Sequence, residues 1–330
     1  MAKTRPNMEV IQEKKTALLS KLVFNLSQIG YALHSKLCYT NRIDVGINDF
    51  TEYAAQLRDG DSIFISTKET KISIDLLTGI LRARKVRVIF YIMEEPLVPW
   101  EIVQMLLTVS IRIFIQNNTY DHPNIHIMPI GIRDCGTIVE MHRRFNQKYL
   151  LEQGVAAEDT LFHPRAIKCL LCFSVWTHPS RKVCYELFTT SAASSFVYNL
   201  NDDPSQEMRE AREKRDNAEF FHEKVPEVVV YQKTLESQYA LCPRGCGVDT
   251  HRFYECIYLG CIPIVIRTNT VFDRLYNVFP CLIVDKWEDV TAALLDKEYP
   301  ECLAKMRKFH EKYPRFLSDL KSIGRLLKKM

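Results

Sequence analysis

The sequence is sparing with the residues that interrupt regular structure. Glycine occurs 11 times and proline 14 times in 330 residues, which excludes collagen-like, linker-like and low-complexity chains. Charge imbalance is also small, 44 Lys and Arg against 40 Asp and Glu giving a net +4. A surplus spread that thinly excludes a dedicated nucleic-acid binder, which concentrates basic residues on one face. No apolar run approaches the ~18 residues of a membrane-spanning helix. The opening residues, MAKTRPNMEVIQEKK, hold no apolar stretch of the kind that directs secretion. These absences lead to the expectation of a cytoplasmic protein with no transmembrane segment, handling something small.

What is present fits a globular chain: 47% hydrophobic and 25% charged residues, long enough for two domains at about 150 residues each. The 11 cysteines are odd in number, scattered, and mostly set in apolar runs. A disulfide framework would be short and cysteine-dense, so buried free thiols in a reducing compartment are expected. Cys169 and Cys172 have CxxC spacing inside the apolar run Ile167–Val175, with no second pair at zinc-ribbon spacing. Cys242 and Cys246 likewise lack a partner at fitting distance. No metal site is expected.

Apolar periodicity alternates between helix and strand along the chain. Val10 to Ile29 reads as an opening helix and Phe50–Leu57 as another, stopped by Asp59-Gly60. The strand SIFIS (Ser62–Ser66), a helix over Ile72–Arg84, the strand Val86–Met93, a helix over Leu97–Leu107 and strands at Ile111–Ile115 and Ile125–Pro129 follow. After a helix over Thr137–Glu152 the pattern resumes. Strands are expected at Ile167–Val175, Ser195–Tyr198, Tyr239–Cys242, Ile262–Ile266 and Cys281–Val284. Helices are expected at Arg181–Phe188, Pro204–Phe221, Thr250–Leu259, Glu288–Leu295 and Glu301–Lys329. Strands alternating with helices imply parallel sheets. The expected organisation is an amino-terminal α/β domain over 1–135, a connection over 136–165, a second α/β domain over 166–310, and a basic carboxy-terminal helix over 311–330. That last helix would pack back across the domains, its charges in water, rather than serve as a peripheral membrane or nucleic-acid contact. Two such domains suggest a ligand cleft between them, beyond the carboxyl ends of the strands.

One segment carries most of the chemistry: Tyr239–Ile266, YALCPRGCGVDTHRFYECIYLGCIPIVI. It reads as strand, glycine turn, helix, glycine, strand. Gly245 and Gly247 lack Cβ atoms, so backbone there is able to take positive φ and approach a ligand closely. Asp249 or Thr250 suits the N-cap of the next helix, whose amino terminus offers N–H groups and partial positive charge to an anion. Arg244 before the turn and Arg252 in the first helical turn would add two guanidinium groups, a fitting set for a diphosphate. Glu255 lies one turn deeper on Arg252's face, where a carboxylate would accept hydrogen bonds from ribose hydroxyls. Gly260 is placed to end the helix.

LCPRGCGVDTHRFYECIYLGCIPIV resembles the donor-site segment of exostosin-like glycosyltransferases, and more broadly of enzymes with the GT-B fold. Arg244, Gly245, Arg252, Glu255, Gly260 and Pro263 match that pattern. Ile113–Asp134 (IFIQNNTYDHPNIHIMPIGIRD) is similar to the end of the amino-terminal domain in such enzymes, with Asn117 and Pro129-Ile130-Gly131-Ile132 as the shared elements. Leu170–Phe188 (LLCFSVWTHPSRKVCYELF) resembles the first strand and loop of the nucleotide domain, with Thr177 and Arg181 as cleft residues. The resemblance implies a GT-B architecture of two Rossmann-like α/β/α domains with parallel sheets facing an interdomain cleft. It further implies transfer of a sugar from a nucleotide-sugar donor to a hydroxyl of a glycan or glycoconjugate acceptor, by an inverting, metal-independent route with no cofactor. Arg244, Arg252 and the helix dipole would replace a metal at the leaving diphosphate. The general base would be Glu94 or Glu95, whose YIMEEP setting resembles the acidic segment of some fucosyltransferases of this fold, with an exposed acidic turn as the alternative. Asp134, His122 and Asp44 are weaker candidates for that role. A catalytically inactive nucleotide- or glycan-binding protein of the same fold is the other reading. Animal exostosins are long, membrane-anchored Golgi enzymes; this chain looks like a compact, soluble viral or microbial relative, and a heparan-type substrate is not carried over.

Overall fold

The computed structural model describes residues 37–40, 54–66, 71–92, 98–132, 162–190, 192–202, 225–268 and 270–313. Over these residues the chain divides into two compact units, the change falling between Gly131 and Ile132. The helices expected over 10–29, 137–152 and 204–221 lie outside the described residues, as do Asp44, Asp134 and the chain beyond Tyr313.

The first unit is built on strands β1 (Leu37–Thr40), β2 (Ser62–Ser66), β3 (Val88–Ile92), β4 (Ser110–Ile115) and β5 (Ile125–Ile127), with helices α1 (Lys71–Ala83) and α2 (Trp100–Leu107). The strands form one parallel sheet in order β1-β2-β3-β4-β5. Register stacks Ile63, Phe90, Ile113 and Ile125 in one row and Ile65, Ile92, Ile115 and Ile127 in the next, all buried. Alternate strand residues share a face, so both rows point the same way. The buried stripes Ile74, Leu77 and Leu81 of α1 and Ile102, Val103 and Leu106 of α2 close over that face. Both helices occupy one face because each right-handed crossover advances the sheet in the same direction. The other face carries an aromatic row, Tyr91 on Phe114 at 5.1 Å and Phe114 on His126 at 5.2 Å between ring centres.

The second unit holds strands β6 (Ile167–Leu171), β7 (Val197–Asn199), β8 (Ser237–Leu241), β9 (Ile262–Ile266) and β10 (Leu282–Val284). Its helices are α3 (Pro179–Phe188), α4 (Glu227–Leu235), α5 (His251–Tyr258), α6 (Thr270–Tyr276) and α7 (Ala292–Lys312). Its sheet is also parallel, in order β10-β9-β8-β6-β7. Expected strands and the helices Arg181–Phe188 and Thr250–Leu259 fall within a few residues of those observed. Helices α4 and α6 were not expected: the β-branched run of Glu227–Leu235 (EVVVYQKTL) disguises a helix whose Val229, Val230 and Leu235 are buried. The two helices expected over Glu288–Leu295 and from Glu301 give way to one, α7, running through Pro300. Its start is fixed by Thr291, whose side chain accepts from Leu294 N at 3.1 Å, while Trp287–Asp289 form a short 3-10 turn.

A charge that sequence pattern did not reveal ties this unit together at the amino ends of its strands. Arg165, only 6% exposed, donates from Nη1 to the carbonyls of Thr234, Leu235 and Ser237 at 3.1, 2.8 and 3.0 Å. Its Nη2 donates to Leu259 O at 2.7 Å. The Thr234, Leu235 and Leu259 carbonyls belong to the carboxyl ends of α4 and α5, where helix carbonyls lack intrahelical donors and partial negative charge collects, and Ser237 O opens β8. This buried guanidinium is therefore held by two helix termini at once.

Candidate functional site

In the second sheet the chain leaves β6 toward β7 on one side and resumes with β8 on the other. Loops leaving β6 and β8 at their carboxyl ends therefore diverge, opening the crevice in which doubly wound sheets take their ligands. The loop after β6 runs from Cys172 to His178, and that after β8 from Cys242 to Thr250, so the segment singled out by sequence lies at this reversal.

The two loops are laced together by Arg181, from the first turn of α3. Its Nε donates to Arg244 O at 2.8 Å, its Nη2 to Pro243 O at 3.3 Å and its Nη1 to Ser174 O at 3.2 Å. Burial, then the charge of nearby Arg252, pulls Arg181 below the ordinary arginine range. Arg181, expected as a donor ligand, gives these N–H groups to backbone carbonyls and so braces the two loops. The glycine turn is shaped to it: a Cβ on Gly245 would meet Arg181 Nη2 at 3.0 Å. Among the described glycines φ is positive only at Gly60, Gly131 and Gly260. The expectation of positive φ at Gly245 and Gly247 is thus corrected; at Gly245 the missing side chain makes room for a guanidinium. Gly245 N also donates to Gly247 O at 3.0 Å, tightening the turn. Cys246, exposed between them, places its Sγ 3.9 Å from Thr177 O in the facing loop. Thr177 itself is exposed, its hydroxyl donating to Ser174 O at 3.1 Å.

Arg244 and Arg252 are the cationic groups left to meet a ligand. Arg244 Nε is buried with no hydrogen-bond partner among the described residues, and its Nη2 makes one long contact, 3.5 Å to Cys246 O. The Arg252 side chain is 21% exposed; its Nη1 lies 3.8 Å from Glu255 Oε2 and 3.5 Å from Thr234 Oγ1. Burial works against its charge, but the Glu255 carboxylate and then the Cys172, Cys256 and Cys242 thiols more than reverse this, leaving Arg252 above the ordinary arginine range. Glu255 is 7% exposed at its side chain and accepts from Tyr231 Oη at 3.3 Å. Glu255, expected at the ribose hydroxyls, is thus also a buried counter-charge to Arg252.

The amino end of α5 falls where the sequence placed it. Thr250 is the N-cap residue, without a side-chain capping bond. Buried Asp249 accepts from Thr250 N at 3.1 Å and from Tyr254 Oη at 2.7 Å, which pins the loop to the helix. At the other end Gly260, with φ 70°, closes a Schellman turn: Gly260 N donates to Ile257 O at 3.1 Å and Cys261 N to Cys256 O at 2.9 Å. This matches the sequence expectation for Gly260.

His178, which sequence reading passed over, stands at the amino end of α3. Ser180 N donates to its Nδ1 at 3.1 Å, which puts the ring proton on Nε2. Burial, then Arg244 and Arg181, lowers its pKa, so the ring is neutral near pH 7 and offers an N–H donor. Beneath the site lie buried free thiols, Cys169, Cys172, Cys242 and Cys256, with Cys242 and Cys256 Sγ atoms 4.0 Å apart. Burial pushes Cys169 upward, marking an inert packing thiol. Among the described residues no group of His, Cys, Asp and Glu is arranged to hold a metal ion, and no helix is long and apolar enough to cross a membrane. Asn117 belongs to the first unit, buried after β4 with φ 55°. His122 lies between β4 and β5, its Nδ1 accepting from Asn124 N at 3.1 Å. Glu94 and Glu95 lie outside the described residues.

No family model matches the chain. A stretch of 113 residues, 34% of this chain and 23% of the relative, is 28% identical to a probable glycosyltransferase of Arabidopsis thaliana, so the match spans under a quarter of that protein. Among solved structures, the E. coli trehalose-6-phosphate structure bound with UDP-2-fluoro glucose aligns over 88% of this chain and 78% of its own. Its TM-score is 0.38 and its identity 12%. An α,α-trehalose-phosphate synthase (UDP-forming) from Burkholderia vietnamiensis aligns over 97% and 87%, with TM-score 0.39 and 11% identity. MurG of Acinetobacter baumannii aligns over 85% and 76%, with TM-score 0.33 and 12% identity.

Proposed function

We propose that this chain is a glycosyltransferase of GT-B type, related to the exostosin-like enzymes, which moves a sugar from a nucleotide-sugar donor to a glycan or glycoconjugate hydroxyl. The observation that carries this reading is the placement of Arg244 on the loop before α5 and of Arg252 in its first turn, at the reversal of strand order, on loops braced by Arg181. Such a site suits a dianionic diphosphate: two guanidinium groups, oriented N–H groups and a helix dipole act together. The resemblance of Tyr239–Ile266 to exostosin-like donor segments and the plant relative's name lend support.

On this reading bond breakage leaves charge on the β-phosphate. Arg244 and Arg252, fixed before the reaction, stabilise it at little reorganisation cost, so transfer proceeds without a metal. Asp249, Thr250, Gly245 and Gly247 shape the loop that receives the diphosphate. Glu255 keeps Arg252 charged and aimed. An inverting reaction also needs a base for the acceptor hydroxyl, and we assign it to Glu94 or Glu95, just past β3. On this reading the protein works in a reducing compartment such as the cytoplasm, which its buried free thiols favour.

A thermal-shift screen against nucleotide sugars identifies the donor, because ligand bound to the folded state raises the melting temperature. With that donor's nucleoside diphosphate, Arg252→Ala is expected to weaken binding by calorimetry about tenfold to a hundredfold. Unchanged affinity removes Arg252 from the site. Activity is expected to survive EDTA; complete loss restored by added metal would overturn the metal-free route. Donor binding without transfer to any acceptor would favour an inactive nucleotide-binding protein.

A further inference from the structure

The amino end of α3 has already used its leading backbone donors. Pro179, its first residue, has no N–H; Ser180 N donates to His178 Nδ1 at 3.1 Å and Arg181 N to His178 O at 3.0 Å. Ser180 Oγ lies 2.7 Å from the same Nδ1. What this helix end still offers is therefore not a backbone group but the imidazole above it. A ring nitrogen that accepts from a backbone N–H carries no proton, so the neutral ring holds its proton on Nε2, on the edge turned away from α3. Protonating Nδ1 as well would set one N–H against another and break the cap.

The loop carrying His178 is joined to the Arg244 loop on both sides of this residue. Before it, Thr177 O lies 3.9 Å from Cys246 Sγ. After it, Arg181 donates to Arg244 O and Pro243 O at 2.8 and 3.3 Å. His178 is thus held against the loop on which Arg244 keeps a buried Nε with no partner among the described residues. Arg181, Arg244 and Arg252 already gather positive charge here, and Arg252 works against the charge of Arg181. A further fixed cation would add to that repulsion, whereas a neutral N–H adds a hydrogen bond without adding charge. The bonds His178 accepts also make it a better donor, because Ser180 N–H, at the positive end of α3, polarises the ring toward Nε2–H. We infer that His178 donates from Nε2 to an oxygen of the diphosphate, passing the partial positive charge of α3 to the ligand. The diphosphate then lies between two helix amino ends, that of α5 with its arginines and that of α3 with its histidine. This rests on the diphosphate site proposed above.

Asparagine separates the two tasks of the ring. Its Oδ1 replaces Nδ1 as acceptor for Ser180 N, a favoured N-cap, while its Nδ2 matches the ring's Cδ2 and nothing replaces Nε2–H. The probes are inorganic pyrophosphate, UDP and GDP, titrated into the full chain by calorimetry, with uridine and guanosine as phosphate-free controls. His178→Asn is expected to keep the parent's melting temperature and to weaken the responding diphosphate about tenfold. His178→Ala, which also uncaps α3, is expected to weaken it as much and to lower the melting temperature. An Asn variant that binds as tightly as the parent makes His178 a helix cap alone and overturns the inference. Equal weakening of uridine or guanosine overturns it too, since a lost phosphate contact leaves the nucleosides untouched. In histidine-labelled parent protein, the ring's NMR signals, identified by their loss in His178→Asn, are expected to show a protonated Nε2 that shifts when the diphosphate is added; a proton on Nδ1, or an unmoved Nε2, overturns the inference without recourse to a variant's stability. If Arg244→Ala and Arg252→Ala leave diphosphate affinity unchanged, the donor-site reading fails. If those two weaken binding and His178→Asn does not, only the role of His178 fails, and if no probe binds the parent, both fall.

Discussion

In the first unit the chain lays down β1 to β5 side by side in sequence order, whereas in the second β6 is flanked by β7 on one side and β8 on the other. Both sheets are parallel, and both have apolar strands. Their loops at the strand carboxyl ends nonetheless behave differently. After β4 the chain folds onto itself: Asn118 Oδ1 accepts from Tyr120 N at 2.8 Å and its Nδ2 donates to Tyr120 O at 3.1 Å, with Gln116 and Asn117 buried beside it. After β6 and β8 the loops part, and what bridges them is an arginine, with two more arginines left for a ligand. Consecutive strands keep neighbouring loops on one course; a reversal separates them and creates a place to bind. Building that place costs stability, since like charges are gathered there, and the second unit offsets this from below.

The largest expected effect tests that offset. Arg165→Met leaves helix-end carbonyls of α4 and α5 buried without their donor, and is expected to remove about 3–5 kcal/mol of stability. The change should be confined to the second unit, so the urea transition followed by Trp287 emission moves to lower denaturant. An unmoved transition would mean that the carbonyls find other partners, and that Arg165 is not the brace proposed for this end of the sheet.

A smaller effect is set by pH. Burial, opposed by the hydrogen bond to Ile257 O and reinforced by Arg165, lowers His310 on α7 to about 4. Its unfolded value is about 6.5. Between these values the unfolded chain binds the proton that the folded one refuses, so stability falls as pH drops from about 6.5 to about 4, by as much as ~3 kcal/mol. His310→Gln is expected to flatten that slope in second-unit stability; an unchanged slope would show that His310 does not titrate in this way.

The comparison also explains what could be read in advance. Alternating apolar strands and helices, and the stop at Gly260, announce themselves because periodicity and helix-end geometry are local. SIFIS and Ile262–Ile266 were legible to the residue for that reason. Strand order is not local: nothing in the strand sequences says that β8 lies beside β6 rather than beside β7. The roles of the arginines divide along the same line. Arg244 and Arg252 were visible because they flank one helix start. Arg181 bracing a loop more than sixty positions away and Arg165 reaching Leu259 O depend on packing that spacing does not encode. The burial of Glu255 beside Tyr231 is likewise a tertiary fact that spacing does not encode. α4 was missed because a valine run favours strands until its stripe meets a core.

Gly245 gives a finer test of how the binding loops are held. Its absent Cβ leaves room for Arg181 Nη2 at 3.0 Å, the end of a flexible side chain that can yield by tenths of an ångström. Gly245→Ala is expected to weaken diphosphate binding about threefold to tenfold through displacement of that brace. In an Arg181→Ala background the same substitution should cost almost nothing, so the two changes couple strongly. Additive effects in calorimetry would show that Gly245 serves the ligand directly and that Arg181 does not shape the turn.

The smallest effect comes from the first unit, where strain has no ligand to serve. α1 ends in a Schellman turn, with Lys85 N donating to Arg82 O at 3.1 Å and Val86 N to Leu81 O at 2.9 Å. The residue at the left-handed position is Lys85, φ 55°, where glycine is the usual choice. A side chain there costs about 1–2 kcal/mol in Cβ clash, partly cancelled by glycine's ~0.5–1 kcal/mol larger loss of freedom on folding. Lys85→Gly is therefore expected to stabilise the first unit by roughly 0.5–1 kcal/mol, read as a higher urea midpoint in Trp100 emission. Diphosphate affinity should not change, because relief of strain in a sheet laid down in order has no bearing on loops parted by a reversal in the other. A fall in stability would contradict the left-handed turn at Lys85, and a change in affinity would show that the two units are not energetically separate.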